Sequence, residues 1–325
     1  MNFKYNKIKI SALIFSVFLS GCYQKKIEAL RNDVHAVYPP GKPFPESRFI
    51  QIKNAKIHYR CFLPETEKPK GKIFFMHGFG GSTFSWRDII PTLVKEGYYV
   101  VAADIPPFGY SVAEKHFSHS GKNRSEVLWS LLDTINNTLS TEIASQKWTL
   151  AGHSMGGAIV SVMALLQASK IEKIILTDGA LPTRSGNMFL ALIPPVRWFL
   201  KWYLTRKVMN YEGTKKLLFS AYGCEPSKEV VTGTLAPFIK PNAVTEFFQF
   251  LSHAKDTALY DVSKIEKPVL IIWGSKDTWI PQSSGEKIHK KIFNSTFVVI
   301  EGAAHCPMET HGEETVKQIL NFLKK

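Results

Sequence analysis

Four cysteines stand in 325 residues, with no Cys-x-x-Cys pair and no Cys/His ligand spacing, so nothing in the pattern calls for a metal. Internal repeats and low-complexity tracts are absent, which removes solenoids and fibrous classes. Acidic residues are few: 27 Asp and Glu face 41 Lys and Arg, a formal charge of +14. Such a balance is compatible with nucleic acid, an anionic membrane surface, or simply a lysine-rich exterior. The chain has no zinc-ligand spacing, no aromatic-rich RNA-binding stretch and no basic helix with base-reading residues, so nucleic acid is not an expected partner. The lysines are scattered, as on a solvated surface. What is present is ordinary for a globular protein: 45% apolar and 21% charged residues, in a chain long enough to bury a full core.

The N-terminal segment is more specific. Lys4, Lys7 and Lys9 precede an apolar run from Ile10 to Leu19, followed by Ser20 and Gly21. A basic head, a short apolar stretch and small residues describe an export signal, and the run is short of the roughly 20 residues that cross a bilayer. Leu19-Ser20-Gly21-Cys22 resembles the lipobox of bacterial lipoproteins. That resemblance implies cleavage before Cys22, acylation of its thiol, and a protein held by lipid on a membrane of the bacterial cell envelope. Residues 1–21 are then a signal peptide. Residues 22–48, charged and then rich in proline and glycine, read as a tether and irregular lead-in. Cys61, Cys224 and Cys306 remain, with three pairings open in an exported compartment.

From Phe49 onward, short apolar runs alternate with helical stretches. "FIQIKNAKIHYRCFL" alternates in polarity like a hairpin, while "KIFFMHG", "YYVVAADIP", "KWTLAGHS", "KIILTDGA", "PVLIIWGSKD" and "FVVIEGAAH" are continuous strand-like runs. "STFSWRDIIPTLVKEG" reads as a helix from a Ser/Thr cap to Gly97, and residues 125–146 have helical spacing. Strands apolar on both faces, separated by helices, make a parallel sheet covered on both sides. Ligands of such sheets lie beyond the carboxyl ends of the strands. His77, Asp104, Ser154, Asp178, Asp277 and His305 all fall there. Residues 181–262 break the rhythm with helical patches and no clear strand, as an insertion over one end of the sheet. Within it, "FLALIPPVRWFLKWYLTRKV" carries two readings: a packed cap helix, or a lid whose Trp and Tyr touch lipid while Arg197, Lys201, Arg206 and Lys207 meet headgroups.

Gly152-His153-Ser154-Met155-Gly156 matches Gly-x-Ser-x-Gly between a strand-like and a helix-like stretch, the context in which a sharp turn lifts a serine hydroxyl clear of a sheet. Side chains at Gly152 and Gly156 would crowd such a turn. Serine is a weak nucleophile at neutral pH and needs a base, which needs an orienter. His305 and Asp277 follow the last two strand-like runs, in the order Ser, Asp, His expected on this kind of sheet. Asp178 is the rival acid, since it also ends a strand. Backbone donors for an oxyanion are expected at Met155 and at Phe79, in the glycine-rich "MHGFGGS". His153 and His77 read as turn- and loop-shaping residues, and Asp104 as a brace for its own loop.

Together "HGFGGS", "DIPPFGYS", "GHSMGG", "WGSKD" and "GAAHCP" resemble the landmarks of the α/β-hydrolase family, in family order, from about Phe49 to the end. "GHSMGG" is similar to monoacylglycerol lipases, and the lipobox adds a likeness to membrane-anchored bacterial lipases and esterases. Pro106-Pro107 departs from the commoner glycine-rich loop. Ser154 stands where dehalogenase and epoxide-hydrolase branches carry Asp, which argues against both. The resemblance implies a mostly parallel eight-stranded sheet with helices on both faces and a helical cap at about 181–262. It also implies a serine esterase or lipase acting through Ser154, Asp277 and His305 on lipophilic acyl esters, with no cofactor. A carbon–carbon bond hydrolase, an acyltransferase or perhydrolase, and a non-catalytic ligand-binding lipoprotein are the alternatives.

Overall fold

A computed structural model describes residues 28–29, 31–66, 68–181, 193–253 and 260–325. The signal peptide, Cys22 and parts of the cap insertion lie outside the described residues. In chain order the strands are β1 (Ser47–Ile52), β2 (Ala55–Phe62), β3 (Gly71–Met76), β4 (Tyr98–Ala103), β5 (Val112–Ala113), β6 (Trp148–His153), β7 (Ile171–Thr177), β8 (Val269–Gly274) and β9 (Ser295–Ile300). They form one sheet in the order β1-β2-β4-β3-β6-β7-β8-β9, with β5 pairing β2. β1, β2 and β5 pair antiparallel and the rest are parallel. This is the α/β-hydrolase architecture, with one two-residue strand more than the eight expected.

The continuous apolar runs are explained by burial on both faces. Phe74 and Met76 of β3 point into one core, with Leu150, Leu176 and Ile271. Ile73 and Phe75 point into the other, with Ala151, Ile175 and Ile272. Successive side chains alternate across a sheet, so a strand sandwiched between helix layers must be apolar at every position. Each such side chain contributes about 1.5–3 kcal/mol by leaving water. The layers include α2 (Ile90–Lys95), α3 (Gly121–Asn136), α4 (Thr141–Ser145), α5 (Met155–Leu166) and α10 (Gln282–Lys291), with the short α11 (Pro307–Thr310) leading into α12 (Gly312–Leu323). The single helix read from Ser82 to Gly97 is instead a 3-10 turn, Thr83–Trp86, followed by α2. Pro91, lacking an N–H, sits in the first turn of α2, where that donor would be idle.

The lead-in differs from a loose tether. Residues 31–37 are helical (α1), and Val34, Tyr38 and Phe44 pack with Phe84, Tyr110 and Leu235. The apolar residues are too thinly spaced among charges to show as a periodic stripe.

Between β7 and β8 the described elements are helical: α6 (Pro194–Tyr203), a π-turn (Leu204–Val208), α7 (Tyr211–Tyr222), α8 (Lys228–Leu235) and α9 (Ala243–His253). They cover the carboxyl ends of the strands. Lys240, nearly buried, ties this cap down. Its Nζ donates to the carbonyls of Pro107 (3.1 Å) and Ser111 (2.5 Å) and pairs with Glu246 (3.1 Å).

Candidate active site

Ser154 follows β6 and caps α5 with φ 49° and ψ −121°, a conformation L-residues rarely adopt. The surroundings hold it there. The Ser154 amide donates to the Thr177 carbonyl (3.1 Å), and its carbonyl accepts from Gly157 (2.9 Å) and Ala180 (2.9 Å). A Cβ at Gly152 would collide with the Gly156 carbonyl, and one at Gly156 with the carbonyls of Met76 and His77. The two flanking glycines therefore allow the elbow to press against β3.

His305, in the loop after β9, donates from Nδ1 to Asp277 Oδ2 at 2.8 Å, so that in the neutral ring Nε2 is the acceptor. Its backbone is held from two sides: its amide donates to Ala221 of α7 (2.9 Å), and its carbonyl accepts from His153 Nε2 (2.8 Å). Trp279 stacks on the imidazole at 5.1 Å. Asp277, in the loop after β8, also accepts from the amides of Trp279 (2.8 Å) and Ile280 (3.0 Å). Burial pushes the Asp277 carboxyl up, but the His305 and Ile280 hydrogen bonds outweigh it and hold the group below its ordinary range.

The rival acid occupies a different position. Asp178, fully buried at φ 43°, accepts from the Gly274 amide at 3.0 Å and lies beside Asp277. Burial raises its carboxyl well above the usual range, and the Asp277 charge adds to that. Asp178 is thus a neutral acid against the Asp277 carboxylate, while His305 bonds to Asp277.

His153 is buried and neutral, its pKa pulled down to about 3 mainly by burial. His77 donates from Nδ1 to the Gly78 carbonyl (2.7 Å) and accepts at Nε2 from Ile105 (2.9 Å), pinning the loop that carries Phe79. Among the described residues, the amides of Phe79 and Met155 donate to no protein acceptor. Asp104 accepts from the amides of Thr83 (2.7 Å) and Tyr110 (2.6 Å) and from His58 Nδ1 (2.7 Å). Cys61, Cys224 and Cys306 are all unpaired. Cys306 borders the site, but burial raises its thiol well above the usual value, so it stays protonated.

Ser154, His153, His305 and Phe79 line one cavity of about 350 Å³ beneath the cap. Its other walls are mostly apolar, with Leu204, Val208 and Met209 from the π-turn region, Leu217 and Leu218 from α7, and Phe247 from α9. The Phe79 ring packs edge-on to Phe108 at 5.0 Å. No Lys or Arg stands among the described lining residues. Glu309 does, but it accepts from Arg87 (2.5 Å) and the Tyr222 hydroxyl (2.6 Å). No hydrogen bond joins Ser154 to His305 among the described residues, and such bonds are often long before substrate binds. The contributions of Trp279 and His153 to the histidine loop were missed in the sequence, although both lie within two residues of a motif position.

A family model described as Hydrolase_4, Serine aminopeptidase, S33, matches residues 67–313. The chain is 26% identical over 258 residues to the hydrolase YugF of Bacillus subtilis (strain 168), covering 77% of this chain and 88% of that one. It is 24% identical over 282 residues to a pimeloyl-(acyl-carrier protein) methyl ester esterase of Neisseria meningitidis, covering 82% of this chain and 80% of that one. A solved structure of a membrane phospholipase A, described as a bacterial virulence factor, superposes with a TM-score of 0.66 at 23% identity over 98% of each chain. At that identity the likeness is one of fold.

Proposed function

The chain belongs to the Hydrolase_4 family of serine hydrolases, and on that premise we propose that it cleaves carboxylic esters with uncharged, lipophilic acyl groups. One observation carries the reading: Ser154 and the Asp277-bonded His305 line the same largely apolar cavity. In this reading His305 Nε2 takes the Ser154 proton as Oγ attacks the ester carbonyl. The oxyanion accepts from the amides of Phe79 and Met155. The C–O bond to the alcohol breaks, and the alcohol leaves with the proton from His305. Water, deprotonated by His305, then attacks the acyl-enzyme and releases the acid and Ser154. Asp277 stabilises the imidazolium that forms in each half.

The electrostatics of the lining support the substrate class. An anionic acyl group would meet no cation among the described lining residues. The family description names an aminopeptidase, and holding a peptide's α-amine calls for a free carboxylate. The Glu309 charge is already paired with Arg87, whose guanidinium and the Tyr222 hydroxyl both donate to its Oε2. We also read Cys22 as the lipid attachment point, which places the enzyme on a membrane of the bacterial cell envelope.

A fluorophosphonate probe should label the wild type and spare Ser154→Ala. The purified protein should turn over p-nitrophenyl esters, with kcat/KM rising from acetyl to medium-chain acyl groups. Equal labelling of both proteins, or tight ligand binding without turnover of any ester, would overturn the reading. Incorporation of radiolabelled palmitate that survives Cys22→Ser would remove the anchor assignment.

A further inference from the structure

An isolated amphipathic helix is stabilised mainly by burying its apolar face. α6 buries no residue completely, although it carries four large aromatic side chains. Trp198 is 72% exposed, and Phe199, Trp202 and Tyr203 are between 40% and 53% exposed. At 100° per residue these four rings sweep an arc of about 140°, so they make one continuous surface. Leu204, on another side of the same helical stretch, lines the cavity. The segment therefore has a site-facing edge and an outward aromatic face. Of the two sequence readings, a packed cap helix does not account for that face.

From this surface we propose that α6 lays its aromatic face into an anionic phospholipid surface, with the mouth of the cavity beside it. The charges select this occupant. From Gly179 to Tyr211 there is no Asp or Glu, while Arg197, Lys201, Arg206 and Lys207 fall on or just after the helix. These charges are spread around the helical stretch, Arg197 lying over the Phe248 ring at 5.5 Å, and a second copy of the chain joined through a two-fold axis would set this basic stretch against itself. An anionic headgroup layer complements it, and each Lys or Arg near such a surface contributes about 1 kcal/mol. Trp and Tyr favour the boundary layer, where the ring is buried and the N–H or O–H stays hydrated. No described helix is long and apolar enough to cross a membrane. A helix lying in the interface needs no such length. Delivery of a lipid ester from that surface to Ser154 rests on the ester-hydrolase reading. The surface contact stands apart from it, and from any lipid on Cys22.

The test uses the full chain carrying Cys22→Ser, so that no acyl anchor contributes. Co-sedimentation with phosphatidylglycerol vesicles should exceed that with phosphatidylcholine vesicles, and 0.5 M salt should weaken it. Trp198→Ser with Trp202→Ser should cut the partition coefficient by about tenfold or more, as should Lys201→Glu with Lys207→Glu. Both double variants should hydrolyse soluble p-nitrophenyl acetate within about twofold of the parent. The tryptophan variant should lose turnover of an ester embedded in the vesicles. No vesicle binding by the parent, undiminished binding by both variants, or a parent dimer that dissociates on loss of the two tryptophans would overturn the proposal. If no ester is hydrolysed while vesicle binding follows the predicted pattern, the surface stands and the ester-hydrolase reading fails.

Discussion

Two hydrogen-bonded histidine–carboxylate pairs stand among the described residues, and each has a serine nearby. Around β2, the Ser47 hydroxyl lies 2.8 Å from His58 Nε2, and His58 Nδ1 lies 2.7 Å from Asp104. At the cavity, His305 Nδ1 lies 2.8 Å from Asp277, with Ser154 in the same lining. By connectivity alone, the first set is the more complete chain. The difference lies in what remains unused. Ser47 Oγ also accepts from the Phe44 amide, Asp104 takes two further amides, and neither His58 nor Asp104 has exposed side-chain surface. Nothing there is left to bind or deprotonate. At the cavity the Ser154 hydroxyl and His305 Nε2 have no hydrogen-bond partner among the described residues, and both residues line a space that can hold a molecule. One arrangement is a closed brace and the other, open to a cavity, is the proposed reactive centre, and the same three residue types build both.

Replacing the two serines tests this most severely. Ser154→Ala should lower kcat for a p-nitrophenyl ester by about 10⁴-fold or more. Ser47→Ala should leave kcat within about twofold while costing on the order of 1–3 kcal/mol of stability through the orphaned His58 nitrogen and Phe44 amide. Comparable losses of activity in both would erase the distinction.

The carboxylates come next. Asp277→Asn should reduce kcat by about 10⁴-fold with an intact fold. Asp104→Asn should act on stability, by roughly 3–5 kcal/mol in denaturant melts, because it breaks a fully buried pair. If Asp104→Asn is inactive yet melts like the wild type, the brace reading is wrong.

A third test uses acid. Burial lowers the pKa of His153 from 6.5 to about 3. Between those values the unfolded chain binds a proton that the folded chain does not. The stability is therefore complete above about pH 6.5 and is lost as pH falls toward 3. His153→Gln retains a donor for the His305 carbonyl and removes that slope, so its acid-unfolding midpoint should move to lower pH. An unchanged midpoint by circular dichroism would contradict a neutral His153.

The smallest effect is expected at Asp178. Its carboxyl is raised in the fold, so between the ordinary carboxylate range and the raised value the folded chain holds a proton the unfolded chain has lost. Stability falls with rising pH across that window. Asp178→Asn should therefore melt higher than the wild type at pH 8, with less difference at pH 4, and keep most of its turnover. A loss of turnover larger than that of Asp277→Asn would reverse the roles of the two acids.

Much of this was legible in advance. Apolar runs such as "KIFFM" and "PVLIIWG" mark buried strands because both faces are covered, and the glycines around Ser154 mark a turn only they permit. The Ser, Asp, His order favours Asp277 over Asp178 in the sequence, but both end strands, and which oxygen meets Nδ1 is visible only in space. The Ser47–His58–Asp104 chain was invisible for a similar reason. It joins a strand start, a strand interior and a loop through packing, with no local pattern. The helix at 31–37 was missed because three apolar residues among charges earn no periodic signature.

The amide of His305 is bonded to Ala221, at the end of a cap helix, and its carbonyl to the residue preceding Ser154. His305, the proposed general base, is thus stitched between roof and floor rather than carried by the floor alone. Exchanging this roof for that of a relative would cut one of those stitches unless the graft supplies a carbonyl at the same point. In the proposed mechanism, specificity and proton transfer are to that extent not separable modules.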